Sequence, residues 1–297
     1  MLLGRFIDFL TYEQRSSPHT VLAYRRDLEQ LAAFLKEKKG KEAPELADER
    51  VVRAWMMSLM EGGASPRTVN RKLSSVRTFF RFARRTGHAV VDPTALLEPP
   101  KTPKRLPEFI EERGMAKLFE GDEAALSFKG LTDRTILELL YGTGMRLAEL
   151  LGLKPNDVDL PARTLRVIGK RNKERIIPLS DRLVMALHTY LDVRASVPTA
   201  LRGDGPLLVD EAGKPLARRT VQRTVERYLS RVTTQRKRSP HVLRHTFATH
   251  LLNNGADLNA VKELLGHASL AATQVYTHNT VEKLRAAHRK AHPRGGE

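Results

Sequence analysis

Cysteine is absent from the chain. That excludes a disulfide framework, a zinc finger, a cysteine-held iron–sulfur site and a thiol nucleophile, and it fits a reducing compartment. Long apolar runs are missing too; none approaches the roughly 18 residues a membrane span requires. The start, Met1-Leu2-Leu3-Gly4-Arg5-Phe6, has no basic segment followed by an apolar stretch, so neither a signal peptide nor membrane insertion is expected, and the expected location is cytoplasmic. Acidic residues are scarce relative to basic ones, 34 against 51, leaving a net charge of +17. Such an excess favours a polyanionic partner: DNA, RNA or an anionic membrane surface. What is plentiful is core material. With 41% hydrophobic residues in 297, the chain can bury a real core, and its length predicts two domains.

The expected domains are a helical one over 1–91 and a larger mixed one over 108–297. Between them, residues 92–107 carry five prolines in sixteen positions. No regular element accommodates that density, so the stretch reads as a linker. In the first part, residues 1–30 read as amphipathic helix interrupted at Ser17-Pro18, a good helix start. A Lys/Glu-rich loop is expected at 36–45, a helix at about 48–61 stopped by Gly62-Gly63, and another from Ser65-Pro66 to near Gly87. In the second part, helices are expected near 108–120, 131–141, 145–151, 180–194, 217–232, 241–253, 257–265 and 269–289. The alternation of Leu165-Arg166-Val167-Ile168 and Arg175-Ile176-Ile177-Pro178-Leu179 around Gly169-Lys170 predicts a hairpin or small sheet with a basic turn.

Charge is locally sharper than the totals. No acidic residue lies between Glu61 and Asp92, yet the interval holds Arg67, Arg71, Lys72, Arg77, Arg81, Arg84 and Arg85. Arg67 and Arg71, with Arg77 or Arg81, can share a helix face opposite Val69, Leu73, Val76 and Phe80. A second run holds Arg218, Arg219, Arg223, Arg227, Arg231, Arg236, Lys237 and Arg238. A solvated helix face would account for either run alone. Two runs in separate parts of a strongly basic chain favour a two-sided grip on nucleic acid, with phosphate contacts from Arg67, Arg71, Lys72, Arg77, Arg81, Arg218, Arg219 and Arg223.

Chemistry concentrates in the second part. His241 and Arg244 lie three apart on one helical face, and a guanidinium beside an imidazole suits a phosphoryl centre. His245 could equally cap or line that helix, and His250 reads as structural. Arg146 follows Gly142-Thr143-Gly144 and would project from a first helical turn, with Glu149 three residues on to fix its aim. A surface ion pair would explain those two residues equally well on their own. The Gly-x-Gly has no preceding strand and no Gly-Lys-Ser/Thr, so nucleotide binding is rejected. Lys170 sits in the basic turn, where it could be solvated, reach a groove or protonate a leaving oxygen. Tyr276 lies nine residues beyond His267. No cofactor or metal is implied: there is no His-Glu-x-x-His and no carboxylate cluster for Mg²⁺. Two arginines, two histidines, a lysine and a tyrosine suit stabilisation of a pentacoordinate phosphorus by cations and attack by a tyrosine.

Four segments carry a resemblance: Thr143-Gly144-Met145-Arg146-Leu147-Ala148-Glu149-Leu150, His241-Val242-Leu243-Arg244-His245-Thr246-Phe247-Ala248-Thr249, Leu265-Gly266-His267-Ala268-Ser269 and Thr273-Gln274-Val275-Tyr276-Thr277-His278. Together, and in this order, they resemble the tyrosine recombinases (the phage integrase family), specifically the Xer subfamily. The resemblance covers nearly the whole chain.

It implies a mainly α fold: a small helical SAM-like core-binding domain followed by a mixed α/β catalytic domain with a small antiparallel sheet, closing as a clamp on duplex DNA. It implies that Arg146 and Arg244 clamp the scissile phosphate, with Glu149 in support. His241 would assist proton transfer, Lys170 act as general acid, His267 hydrogen-bond the phosphate and Tyr276 attack. Lys173 competes with Lys170 for its role. The implied partners are a dif-like DNA site, a second Xer protomer in a homo- or hetero-tetramer, and a septal DNA translocase. The implied reaction passes through a Holliday junction without ATP or metal. A C-terminal helix at roughly 281–290, with Val281, Leu284 and Ala287 as its apolar side, would dock on a neighbouring protomer or within the chain. Competing readings are an integrase of a mobile element, a relaxing topoisomerase and a DNA-binding protein that does not cut.

Overall fold

The computed structural model describes residues 1–103, 108–120, 127–169, 174–197, 205–266 and 286–294. The chain divides into two compact units, Met1–Arg105 and Leu106–Glu297. Mainly helical first and mixed second, they carry the expected fold class. No described helix is long and apolar enough to cross a membrane.

The first unit is built from α1 (Leu2–Asp8), α2 (Pro18–Lys39), α3 (Glu49–Glu61) and α4 (Pro66–Arg85). Three of the four starts are written in side chains. Ser17 Oγ accepts from Thr20 N, Asp48 Oδ1 from Val51 N and Ser65 Oγ from Thr68 N, each satisfying an orphan amide of the first turn. The first amphipathic stretch is not one helix. After α1 the backbone widens into a π-helical turn, Phe9–Glu13, and breaks with Arg15 at φ 45°. Helix α2 also runs into the expected Lys/Glu-rich loop, because Lys36, Lys38 and Lys39 suit a helix C-terminus and the stop comes only at Gly40, φ 67°. Phe6, Phe79 and Phe82 form the aromatic centre, with Phe6 5.3 Å from Phe79 and 5.4 Å from Phe82, ring centre to ring centre. Of the proline-rich stretch, Leu97 is buried in this core. Asn70 Nδ2 donates to the carbonyl of Pro100 and to Thr102 Oγ1.

One buried acid ties α2 to α4. Asp27, 1% exposed, accepts from both Nη atoms of Arg71, from Lys72 Nζ at 3.0 Å and from Ser75 Oγ at 2.7 Å. Burial by itself would raise this carboxyl; the bonds from Arg71, Ser75 and Lys72 outweigh it and hold it below the usual range. Two basic residues expected on the DNA side are thus engaged inside the domain. Arg77 is engaged as well, donating to the Leu97 carbonyl at 2.6 Å. A depressed carboxyl stabilises the fold above its unfolded pKa and loses that contribution as pH falls through its folded value. Asp27→Asn is therefore expected to destabilise the first unit by about 1–3 kcal/mol at neutral pH. It should also remove part of the stability loss below about pH 4, read by urea denaturation at neutral and acidic pH. Equal urea midpoints for wild type and variant at both pH values would count against this account.

The second unit comprises α5 (Glu112–Leu118), α6 (Phe128–Thr143), α7 (Leu147–Gly152), β1 (Val158–Asp159), β2 (Thr164–Ile168), β3 (Glu174–Pro178), α8 (Asp181–Ala195), α9 (Arg218–Leu229), α10 (Pro240–Asn253) and α11 (Leu258–Leu265). Helix α6 is the central element, with residues 135–143 all buried. The strands form an antiparallel sheet in the order β1-β2-β3, with Val167 opposite Arg175 and Leu165 opposite Ile177. The edge strand β1 was not expected; two residues are too short to show alternation. Residues 286–294 pack within the same chain. His288 Nε2 donates to the Gly142 carbonyl at 2.8 Å, Arg294 pairs with Glu138 at 2.8 Å, and Asn254 Nδ2 donates to the Ala291 carbonyl. Ala287 is half-buried. Most of the expected 269–289 helix, including Val281 and Leu284, lies outside the described residues.

Candidate active site

The site is assembled by two helix ends. Helix α6 stops at Gly144, which adopts φ 60° as its left-handed cap. Only glycine fits: a Cβ here would overlap the Phe247 ring of α10 and meet Leu265 Cδ2 at 3.0 Å. The turn delivers Arg146 to the N-cap of α7, where its backbone N–H donates to Glu149 Oε2 at 2.8 Å and its Nη1 to Oε1 at 2.9 Å. Helix α11 stops the same way at Gly266, φ 63°, and the Gly266 carbonyl faces Arg146 Nη2 at 3.4 Å. From α10, Arg244 reaches both ends. Its Nη1 donates to the Gly144 carbonyl and its Nη2 to the Leu265 carbonyl, each at 2.7 Å.

A third guanidinium completes the cluster. Arg175 of β3, 5% exposed, donates through Nη1 and Nη2 to Glu149 at 3.1 and 2.8 Å, and through Nε to the Leu264 carbonyl at 3.0 Å. The sequence reading did not select it as a site residue. Its signal was in the strand alternation, which puts Arg175 on the same face as buried Ile177 and makes it a charge pointing inward.

Three guanidiniums gather around one carboxylate, which bonds Arg146 and Arg175 but not Arg244, so the cluster carries an excess of two positive charges and suits an anion. Burial would raise the Glu149 carboxyl, but the hydrogen bonds from Arg175 and Arg146 hold it below its usual range. Arg244 is pushed down to about 10, first by burial and then by the like charges of Arg146 and Arg175, with Glu149 opposing. It stays charged at neutral pH. None of its described bonds goes to a carboxylate, so its charge remains available to a ligand.

The other expected residues distribute as follows. His241 is exposed in the first turn of α10, one turn before half-buried His245. Burial, then the neighbouring His241, pushes the His245 imidazole down. His250 is buried and holds the Tyr141 hydroxyl at 2.9 Å, as a structural histidine would. Lys170, Lys173, His267 and Tyr276 lie outside the described residues. Arg67 and Arg81 on α4, and Arg218, Arg219 and Arg223 on α9, are exposed, and their side chains bond to no described residue. Arg71 and Arg77 carry the internal bonds given above, as does Lys72. Sequence alone could not reveal this, because their partners, Asp27 and the Leu97 carbonyl, are set by tertiary packing.

Comparison with known proteins accords with this geometry. The profile described as "Phage integrase family" matches residues 108–283, and "Phage integrase, N-terminal SAM-like domain" matches residues 3–87. The chain belongs to the phage integrase family, the tyrosine recombinases. Within it the chain is Xer-like. It is 41% identical to "Tyrosine recombinase XerC" of Chlorobaculum parvum, covering 98% of this chain and 94% of that protein. It is 38% identical to "Tyrosine recombinase XerD" of Staphylococcus haemolyticus, covering 99% of each. Among solved structures, the XerH site-specific recombinase bound to difH substrate superposes with a TM-score of 0.66 at 24% identity, over 96% of this chain and 82% of that one, a likeness of fold.

Proposed function

We propose that this chain is a site-specific recombinase that cuts and rejoins duplex DNA through a 3′-phosphotyrosyl intermediate and a Holliday junction, resolving chromosome dimers at a dif-like site. The observation that carries the reading is the excess positive charge of the Arg146–Glu149–Arg175–Arg244 cluster, held on two glycine-capped helix ends. Arg146 and Arg244 clamp the scissile phosphate and stabilise its developing charge. The Tyr276 hydroxyl attacks phosphorus, passing its proton with the help of His241. A tyrosyl–phosphorus bond forms, the bond to the 5′-oxygen breaks, and Lys170 protonates that oxygen as it leaves. His267 hydrogen-bonds the phosphate. Attack by a 5′-hydroxyl of the partner strand reverses these steps and joins the exchanged strands, so neither ATP nor metal is consumed. Residues 1–91 grip the duplex, 92–107 link, and 108–297 cut. Four protomers, of one or two Xer types, assemble on two sites under a septal DNA translocase. The XerC and XerD names of its relatives support the Xer assignment on which the choice of site rests.

An end-labelled, nicked duplex bearing a dif-like sequence tests this. The expected product is a denaturation-resistant adduct on the 3′ side, with the DNA mapped to Tyr276 by peptide mass. Tight binding without any adduct, on duplex and junction alike and with a paralogue added, would leave a DNA-binding protein that does not cut. The grip is tested separately by salt. Arg67→Gln with Arg81→Gln is expected to lower the slope of log affinity against log salt by about two, while Arg71→Gln mainly lowers the melting temperature of the first unit. An unchanged slope removes Arg67 and Arg81 from the phosphate face.

A further inference from the structure

We infer that Arg175 is a positioning residue for the cleavage step, the strut that fixes Glu149, and through it Arg146, against the end of α11. The inference rests on the function proposed above. Glu149 offers two oxygens, and each is shared. Oε1 accepts from Arg146 Nη1 and Arg175 Nη1, and Oε2 from the Arg146 backbone N–H and Arg175 Nη2. Arg175 thus sets the plane of the carboxylate on which Arg146 is mounted. Its remaining Nε–H goes to the Leu264 carbonyl, in the same helix end that supplies the Leu265 carbonyl to Arg244 and the Gly266 carbonyl to Arg146. The fit is close on the far side as well: a Cβ on Gly266 would lie 3.1 Å from Arg175 Nη1. Three separate elements, β3, α7 and α11, are therefore registered by one planar fork with donors in fixed directions. A lysine ammonium has no such fork and cannot span both carboxylate oxygens and a carbonyl.

An ion pair serving stability alone would make the same bonds, so the test reads something stability does not move. The charges facing Glu149 are Arg146 on its own helix, Arg175 from β3 and Arg244 from α10. Removing Arg175 takes away the foremost of the bonds that hold its carboxyl down, so protonation occurs at higher pH. A protonated Glu149 releases Arg146. The acid limb of the cleavage rate therefore shifts to higher pH.

The experiment compares wild type, Arg175→Lys and Arg175→Met by single-turnover adduct formation on the nicked duplex, at saturating protein, from about pH 5 to about pH 8. Duplex affinity and circular dichroism are recorded on the same samples. Arg175→Met is expected to cut the rate about 10²-fold and Arg175→Lys about 10-fold. Affinity should stay within about threefold and the acid limb should move up in Arg175→Met. Should Arg175→Met not fold, Arg175→Lys decides alone by its rate. A folded variant with the wild-type rate and acid limb overturns the inference. So does a loss of rate, equal at every pH, that matches the unfolded fraction. Failure of the wild type to form an adduct would instead count against the proposed function.

Discussion

Arg244→Ala is expected to slow covalent adduct formation by at least about 10²- to 10³-fold, with affinity for the duplex nearly unchanged at low salt. The asymmetry follows from where the side chain sits. Arg244 is 7% exposed, on the buried side of α10, so it meets one phosphate at most, whereas affinity is summed over many exposed cations. Its charge matters most when the phosphorus is five-coordinate and negative charge grows on the nonbridging oxygens. Truncation also orphans the Gly144 and Leu265 carbonyls, at about 1–3 kcal/mol for each that stays dry, so the melting temperature should fall. Arg244→Lys keeps the charge but cannot reach both carbonyls with one nitrogen, and should recover the melting temperature more than the rate. Adduct formation and filter binding on the same nicked duplex check this. A loss of binding at low salt as large as the loss of cleavage would remove Arg244 from the catalytic step.

Gly144→Ala is expected to be the most damaging glycine-to-alanine change among the described residues of the second unit. Two costs act at one atom. A left-handed backbone costs a non-glycine residue about 1–2 kcal/mol, and forcing a methyl against Phe247 and Leu265 in a packed core costs about 1–3 kcal/mol more. A sum of about 2–5 kcal/mol corresponds to roughly 5–15 °C in melting temperature for a unit of this size. The Gly144 carbonyl is an anchor of Arg244, so cleavage should fall even below the melting temperature. Gly152→Ala is the control. It closes α7, nothing lies within 4 Å of its added Cβ, and its melting curve should overlie the wild type's. Calorimetry of the two variants side by side checks this. Coincident melts for Gly144→Ala and wild type would mean that the cap is not tight.

How far the sequence carried the reading depended on whether a feature is local. Helix starts at Ser17, Asp48 and Ser65 lie within three residues of the amides they cap, and the alternation around residue 170 produced β2 and β3. The Arg146–Glu149 pair was legible for the same reason: its partners are three apart. Partnerships between distant segments were not. Asp27 meets Arg71 across 44 residues, Arg175 meets Glu149 across 26, and Arg244 meets Gly144 across 100. The expectation that Arg71, Lys72 and Arg77 all face a duplex failed to foresee their internal bonds, because a basic run shows which residues are charged and not which acids the fold brings to them. Arg175 was overlooked because an arginine that follows Lys173 and Glu174 reads as part of the basic turn, and stands out only once strand alternation is applied to charge as strictly as to leucine.

The anchors of the cationic cluster have a bearing on how such a chain can change. Apart from Glu149, every described group accepting a bond from these three arginines is a main-chain carbonyl: Gly144, Leu264, Leu265 and Gly266. Every amino acid carries that atom, so drift at Leu264 and Leu265 among similar side chains leaves the acceptors where they are. Vulnerability is correspondingly concentrated. It falls on the two glycines that let the chain turn, on one glutamate and on the arginines themselves. Most of the surrounding sequence is free to diverge while the charge geometry is inherited intact.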